Sequence, residues 1–241
     1  MPGAVLEQPA TCHAVVADLG ADTHRAGWAG DEAPRVVIPS TLGAAGEPLQ
    51  ILLDRLADAP PRWSSPASRP VLLSEPNAHC RAQRDALAEV LFESLELPAA
   101  AVVKSSVLSA LAFGHLSATV VDVGADLTSV AAIRAGKVDA ERLREWPFAG
   151  RALDAAVLAA LREQGVEALG GRGWQPARGR PSVMRLAQDL KETVCFCSHV
   201  PLAEAESAAP FVHTLPDGQR VDVAAFSRRV PEALLVGDGR G

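Results

Sequence analysis

Two short segments carry the residue types and spacing that phosphate or metal chemistry uses. The first runs Val15-Val16-Ala17-Asp18-Leu19-Gly20-Ala21-Asp22 and the second Val120-Val121-Asp122-Val123-Gly124-Ala125-Asp126. Each is followed within two residues by a threonine, Thr23 or Thr128. An apolar, β-branched run predicts a buried strand, and Asp-x-Gly predicts the tight turn that ends it. Asp18 and Asp122, at the strand ends, could organise a hydrated divalent cation. Gly20 and Gly124 would let backbone N–H groups approach a polyphosphate. The duplication predicts two related halves facing one cleft. The same two aspartates have a plainer use as turn caps, and both readings stand on the sequence.

The elements that must position these turns follow from the pattern around them. Residues 14–18 read as a strand, 26–30 as a second bending back over it, and 35–39 as a third stopped by Pro39. Leu49, Leu52, Leu53 and Leu56 share one face of a short helix. Residues 60–70 read as a Pro/Ser-rich loop and 71–76 as a strand running into a loop. A helix is predicted from Arg81 to Leu95, with Leu87, Val90, Leu91 and Ser94 in register, and Val102-Val103 follow Pro98 as a strand. Ser105 to Phe113 reads as a small-residue helix closed by Gly114. The second strand–turn leads into a hairpin over 129–137, then a helix from 148 to about Leu161 and another over 184–196. Leu215 to Gln219 reads as a hairpin turn and 237–241 as a frayed tail.

Composition narrows the function classes. The 241 residues are 48% hydrophobic, ample for a core, and carry a formal charge of −6. That balance gives no general attraction to nucleic acid or anionic membrane. No apolar run is long enough to span a bilayer. The N-terminus lacks the basic and apolar regions of a secretory signal, which makes cytosol or nucleus the expected compartment. The chain has no Tyr, six Phe and four Trp, so small aliphatic side chains must do most of the packing.

Cys12, Cys80, Cys195 and Cys197 read as free thiols, and Cys195 and Cys197 as small packing residues rather than metal ligands. Cys195, Cys197 and His199 fit no familiar zinc spacing. The Gly/Arg-rich stretch 165–181 around Trp174 suits either an RNA or acidic surface, or a solvated loop between helices.

Taken in order, the motifs resemble the actin and actin-related protein family over nearly the whole chain. The resemblance rests on Asp18-Leu19-Gly20, Arg25-Ala26-Gly27-Trp28-Ala29-Gly30-Asp31-Glu32-Ala33-Pro34-Arg35, Pro70-Val71-Leu72-Leu73-Ser74-Glu75-Pro76, Lys104-Ser105-Ser106-Val107-Leu108-Ser109-Ala110, Ala149-Gly150-Arg151, Asp189-Leu190-Lys191-Glu192, and Leu215-Pro216-Asp217-Gly218-Gln219 with Pro231-Glu232-Ala233-Leu234. Thr23-His24-Arg25-Ala26-Gly27 and the 104–112 segment are most similar to the nuclear type-four class of actin-related proteins.

The resemblance implies an α/β fold of the actin/Hsp70-like (RNase H-type) ATPase kind, with two related halves. Residues 1–112 would form the first half, with a second subdomain reduced to the region around 43–70. Residues 113–241 would form the second half, part of a third subdomain and then a fourth. The family continues past the motif at 231–234, so a C-terminally incomplete copy with an enlarged exposed apolar surface is expected.

For chemistry, the resemblance implies ATP with Mg, held weakly or not at all. Asp18, Gly20, Arg25, Asp122, Gly124, Lys191 and Glu192 correspond to nucleotide contacts, and Asp18 and Asp122 to the metal positions. For Lys191 and Glu192 a solvated helix face is the competing reading. Several family positions are changed. Ala21 replaces a hydroxyl residue, Asp22 and Asp126 replace glycines, and Ala125 replaces a metal-associated aspartate. Ser105 stands at the water-orienting glutamine and Ser129 at a nearby histidine. Unit charges about 4 Å apart repel by about 4 kcal/mol at an effective dielectric of about 20. A charge-assisted hydrogen bond returns only about 1.5–3 kcal/mol. Phosphoryl transfer depends on positioning and charge stabilisation.

The expectation is therefore a non-catalytic, protein-binding subunit of a nuclear chromatin-remodelling or histone-acetyltransferase complex. Its implied partners are an actin monomer and the other complex subunits, without direct nucleic-acid or membrane contact. A weak ATPase, or a cytoplasmic, cytoskeletal actin-like protein, is the alternative.

Overall fold

The computed structural model describes residues 14–40, 46–58, 69–166, 182–200, 211–215 and 218–236. Cys12, most of the Pro/Ser-rich loop, most of the Gly/Arg-rich stretch and the 237–241 tail lie outside the described residues. The chain divides into two compact units, 1–145 and 146–241.

The first unit is built on two sheets. The larger has the order β3-β2-β1-β4-β5, from β1 (Val15–Leu19), β2 (Thr23–Trp28), β3 (Val36–Pro39), β4 (Val71–Glu75) and β5 (Ala100–Lys104). β1 pairs antiparallel with β2 and parallel with β4, and β5 adds in parallel to β4. Parallel neighbours need crossovers. Helix α1 (Gly46–Asp58) lies between β3 and β4, and α2 (Arg81–Glu89) between β4 and β5.

The four leucines predicted on one face of α1 are all buried, in one core with Val15, Ala17, Val71 and Leu73. Burying a leucine contributes about 1.5–3 kcal/mol, so this face fixes α1 to the sheet. β2 begins at Thr23, earlier than the expected 26, because pairing with β1 continues to His24 opposite Leu19. The helix expected over 81–95 is α-helical only to Glu89. A π-helical turn, Val90–Ser94, finishes it, with Leu95 N–H bonded to Val90 O. The wider turn leaves Leu91 fully buried, while α2 itself has no buried residue.

The smaller sheet contains β6 (Ala118–Val123), β7 (Thr128–Arg134) and β8 (Lys137–Val138), in that order. Ala135 and Gly136, both with positive φ, turn β7 into β8. Helix α3 (Ser105–Ala112) packs Val107 and Ala110 against Ala131 and Ile133 of this sheet. Gly114, at φ +75°, ends the helix as predicted.

The second unit packs α4 (Gly150–Glu163) against α5 (Ser182–Val194). The hairpin β9 (Val212–Thr214) and β10 (Arg220–Asp222), then α6 (Ala224–Ser227) and α7 (Arg229–Val236), complete it. Leu153, Val157, Leu161, Leu186, Leu190 and Phe226 are among its buried core. Cys195 packs partly against that core, and burial raises its thiol pKa to about 11. Cys197 is exposed, which corrects its reading as a packing residue, and Cys80 is exposed too.

Candidate functional site

Each Asp-x-Gly segment does form a strand end followed by a turn. β1 carries Asp18 into Gly20, and β6 carries Asp122 into Gly124. The two turns line one cleft of the first unit, and Arg25 joins them there. Five of the sequence-predicted residues, Asp18, Gly20, Arg25, Asp122 and Gly124, are thus brought together.

The turns explain their own glycines. A Cβ on Gly20 would lie 2.7 Å from the Thr23 carbonyl oxygen. One on Gly124 would lie 3.1 Å from the Leu127 carbonyl oxygen. In both copies the turn folds back on the glycine from three residues ahead. The Gly124 N–H donates to that Leu127 oxygen at 3.0 Å. Asp22 and Asp126 stand at ordinary negative φ, since Glu96 and Ala135 are the non-glycine residues with positive φ among those described. Aspartate therefore fits these positions without backbone strain.

The charges of the site are largely engaged. Asp18 accepts a hydrogen bond from Ser74 on β4 and lies 3.6 Å from Arg25, its cross-strand partner. Glu75 ends the buried alternation Val71, Leu73, Glu75, so its carboxylate points inward with no side-chain exposure. Arg84 donates to it, with Nε at 3.4 Å from one oxygen, and Lys104 Nζ lies 3.2 Å from the other. Burial raises the Glu75 pKa, but the hydrogen bonds and charges of Arg84 and Lys104 outweigh it and hold the pKa below the ordinary carboxylate value. His24 is buried on β2, and neither ring nitrogen has a hydrogen-bond partner among the described residues. Burial lowers its pKa, against the opposing pull of Asp18.

The two positions of implied water orientation hold serines. Ser105 lines the cleft at the start of α3. Ser129 is buried, and its hydroxyl accepts from Asn77 Nδ2 at 3.1 Å. Asn77 is the residue that sequence reasoning missed. It is an ordinary loop asparagine after Pro76, and its partners are distant in the chain.

Lys191 and Glu192 belong to the second unit. Lys191 Nζ lies 2.7 Å from Asp154 Oδ1 and donates to Gly150 O at 3.3 Å, tying α5 to α4. Exposed Glu192 accepts from Gln188, one turn earlier, at 3.1 Å.

A triphosphate with Mg does not suit the cleft lining as it stands. Asp18, Asp22, Glu75, Asp122, Asp126 and Glu145 line it, against Arg25 as the cation among the lining residues. Among the described residues no three His, Cys, Asp or Glu side chains converge to hold a metal ion. None of the described helices is long and apolar enough to cross a membrane.

Comparison with known proteins bears on the same residues. The sequence model of the actin family matches residues 47–172. Actin-related protein 4 of Oryza sativa subsp. indica is 24% identical over 308 residues, covering 92% of this chain and 70% of that protein. Actin-related protein 4 of Arabidopsis thaliana is 22% identical, with 92% and 69% covered. Actin-related protein 4 of Schizosaccharomyces pombe is 25% identical, with 92% and 64% covered.

Proposed function

Because this chain belongs to the actin family, we propose that it is a non-catalytic actin-related subunit that works by holding other proteins. The complex would be a nuclear chromatin-remodelling or histone-acetyltransferase assembly, and the partners an actin monomer and neighbouring subunits. The similarity to proteins named actin-related protein 4 supports this placement. The division of the chain into related halves at 112/113 is part of the same proposal.

One observation carries the loss of catalysis. The positions implied to orient an attacking water hold Ser105 and Ser129, and the Ser129 hydroxyl is buried and bonded to Asn77. A serine reaches far less than glutamine or histidine, and phosphoryl transfer needs the nucleophile in line. The surplus of carboxylates in the cleft adds repulsion toward a polyphosphate.

The test is affinity capture with the full chain from nuclear extract, read by identifying actin and remodeller or acetyltransferase subunits among the bound proteins. Their enrichment over a tag-only control supports the reading, and their absence contradicts it.

A weak nucleotide-binding ATPase is the second reading. It is favoured by the convergence of Asp18, Gly20, Arg25, Asp122 and Gly124 on one cleft, with Asp18 and Asp122 as the metal positions and Lys191 and Glu192 as far-side contacts. Calorimetric titration with Mg-ATP tests it. Saturable heat that disappears in Asp18→Ala would favour this reading over the first.

A further inference from the structure

We infer that Asn77 is a buried clip that fixes the two sheets of the first unit to each other, and with them the spacing of the two Asp-x-Gly turns. Asn77 follows β4 of the larger sheet and is 7% exposed. One Nδ2 hydrogen goes to Ser106 Oγ on α3 at 2.6 Å and the other to Ser129 Oγ on β7 at 3.1 Å. Its Oδ1 accepts the Ser106 N–H at 3.3 Å. Ser106 and Ser129 are 0% and 4% exposed. Both amide hydrogens and one oxygen lone pair of the asparagine are therefore used inside the protein.

The location gives the contact its leverage. Ser129 stands directly opposite Asp122 in the β6–β7 register, so a hold on Ser129 is a hold on the second turn. Ser74, three residues before Asn77, donates to Asp18, so the loop after β4 is tied to the first turn too. The first turn of α3 lacks a side-chain cap from its own N-cap residue, Lys104, and Asn77 Oδ1 supplies a bond to one of its orphan N–H groups. One side chain thus joins β4, the start of α3 and β7. Opening the cleft along that line would break three buried hydrogen bonds at once, which disfavours partial opening. The opening of the cleft is set by the protein's own side chains.

Hydrogen exchange on the full chain tests the clip, comparing wild type with Asn77→Ala, Ser129→Ala and the double variant. Asn77→Ala is expected to speed exchange at least tenfold in the first turn of α3 and in β6–β7, with β1 and β2 unchanged. Ser129→Ala is expected to shift β6–β7 in the same direction, and the double variant to add little to Asn77→Ala, as for residues acting through one contact. Unchanged exchange at α3 and β7 in Asn77→Ala overturns the inference. So does acceleration spread evenly over the whole unit, or strict additivity of the two substitutions. If Asn77→Ala fails to fold, Ser129→Ala decides alone, because normal exchange in β6–β7 without that hydroxyl refutes the clip. Each outcome is independent of whether ATP is turned over or partners are captured.

Discussion

At the scale of single residues, the acidic side chains of the cleft differ sharply in what they do. Glu75 is a fully buried carboxylate held by Arg84 and Lys104. Glu75→Gln should cost toward the lower end of about 3–5 kcal/mol, because Arg84 is half exposed and its share is screened by solvent. The pH dependence has a definite sign. The pKa values of both Glu75 and His24 are lower in the folded protein than their ordinary 4.5 and 6.5. The unfolded chain then binds more protons, so stability rises with pH across each interval. Denaturant melts should lose stability in two stages on acidification, one below pH 6.5 from His24 and one below pH 4.5 from Glu75. His24→Leu should remove the upper stage alone. The glycines make a second residue-scale prediction. Gly20→Ala places a Cβ against a backbone oxygen at 2.7 Å, whereas Gly124→Ala meets one at 3.1 Å. Overpacking costs about 1–3 kcal/mol, and thermal melts should show the Gly20 variant losing more than the Gly124 variant.

At the scale of elements, β6 stands apart from β1, its sequence counterpart. β1 has neighbours on both edges, β2 antiparallel and β4 parallel. β6 has β7 on one edge, and among the described residues no strand pairs with the other. Val121 on β6 is 64% exposed and lines a groove with Phe113, which is 82% exposed. An unpaired apolar edge favours self-association. Val121→Lys should reduce light scattering at high protein concentration while leaving the melting temperature within about 1 kcal/mol equivalent of wild type. An unchanged scattering curve would dissociate this edge from aggregation.

Elements with regular hydrophobic spacing were legible in the sequence: the four leucines of α1, the β-branched runs of β1 and β6, and the Gly114 stop. The π turn after Glu89 was not, since Leu87, Val90 and Leu91 suit either winding. Nor was the start of β2, where Thr23-His24-Arg25 has no apolar run and is held by pairing with β1. In the site, the Asp-x-Gly turns were visible because both signals are local. The Asp18–Ser74, Asp18–Arg25 and Asn77–Ser129 contacts were not, because they depend on which strands become neighbours.

At the scale of the whole molecule, an actin-family α/β chain brings two Asp-x-Gly turns to one cleft and engages them with its own side chains. The glycines close their own turns, Asp18 is engaged by Ser74 and Arg25, and Asn77 takes the Ser129 hydroxyl. Together these contacts make a braced acidic cleft. The second unit uses Lys191 to tie two helices together. We propose that the chain does not turn over ATP. The most direct test is steady-state release of inorganic phosphate by purified full chain with Mg-ATP, beside Asp18→Ala and Asp122→Ala. No release above buffer is expected for any of the three. Sustained release by the wild-type chain, abolished in either variant, would contradict the proposal.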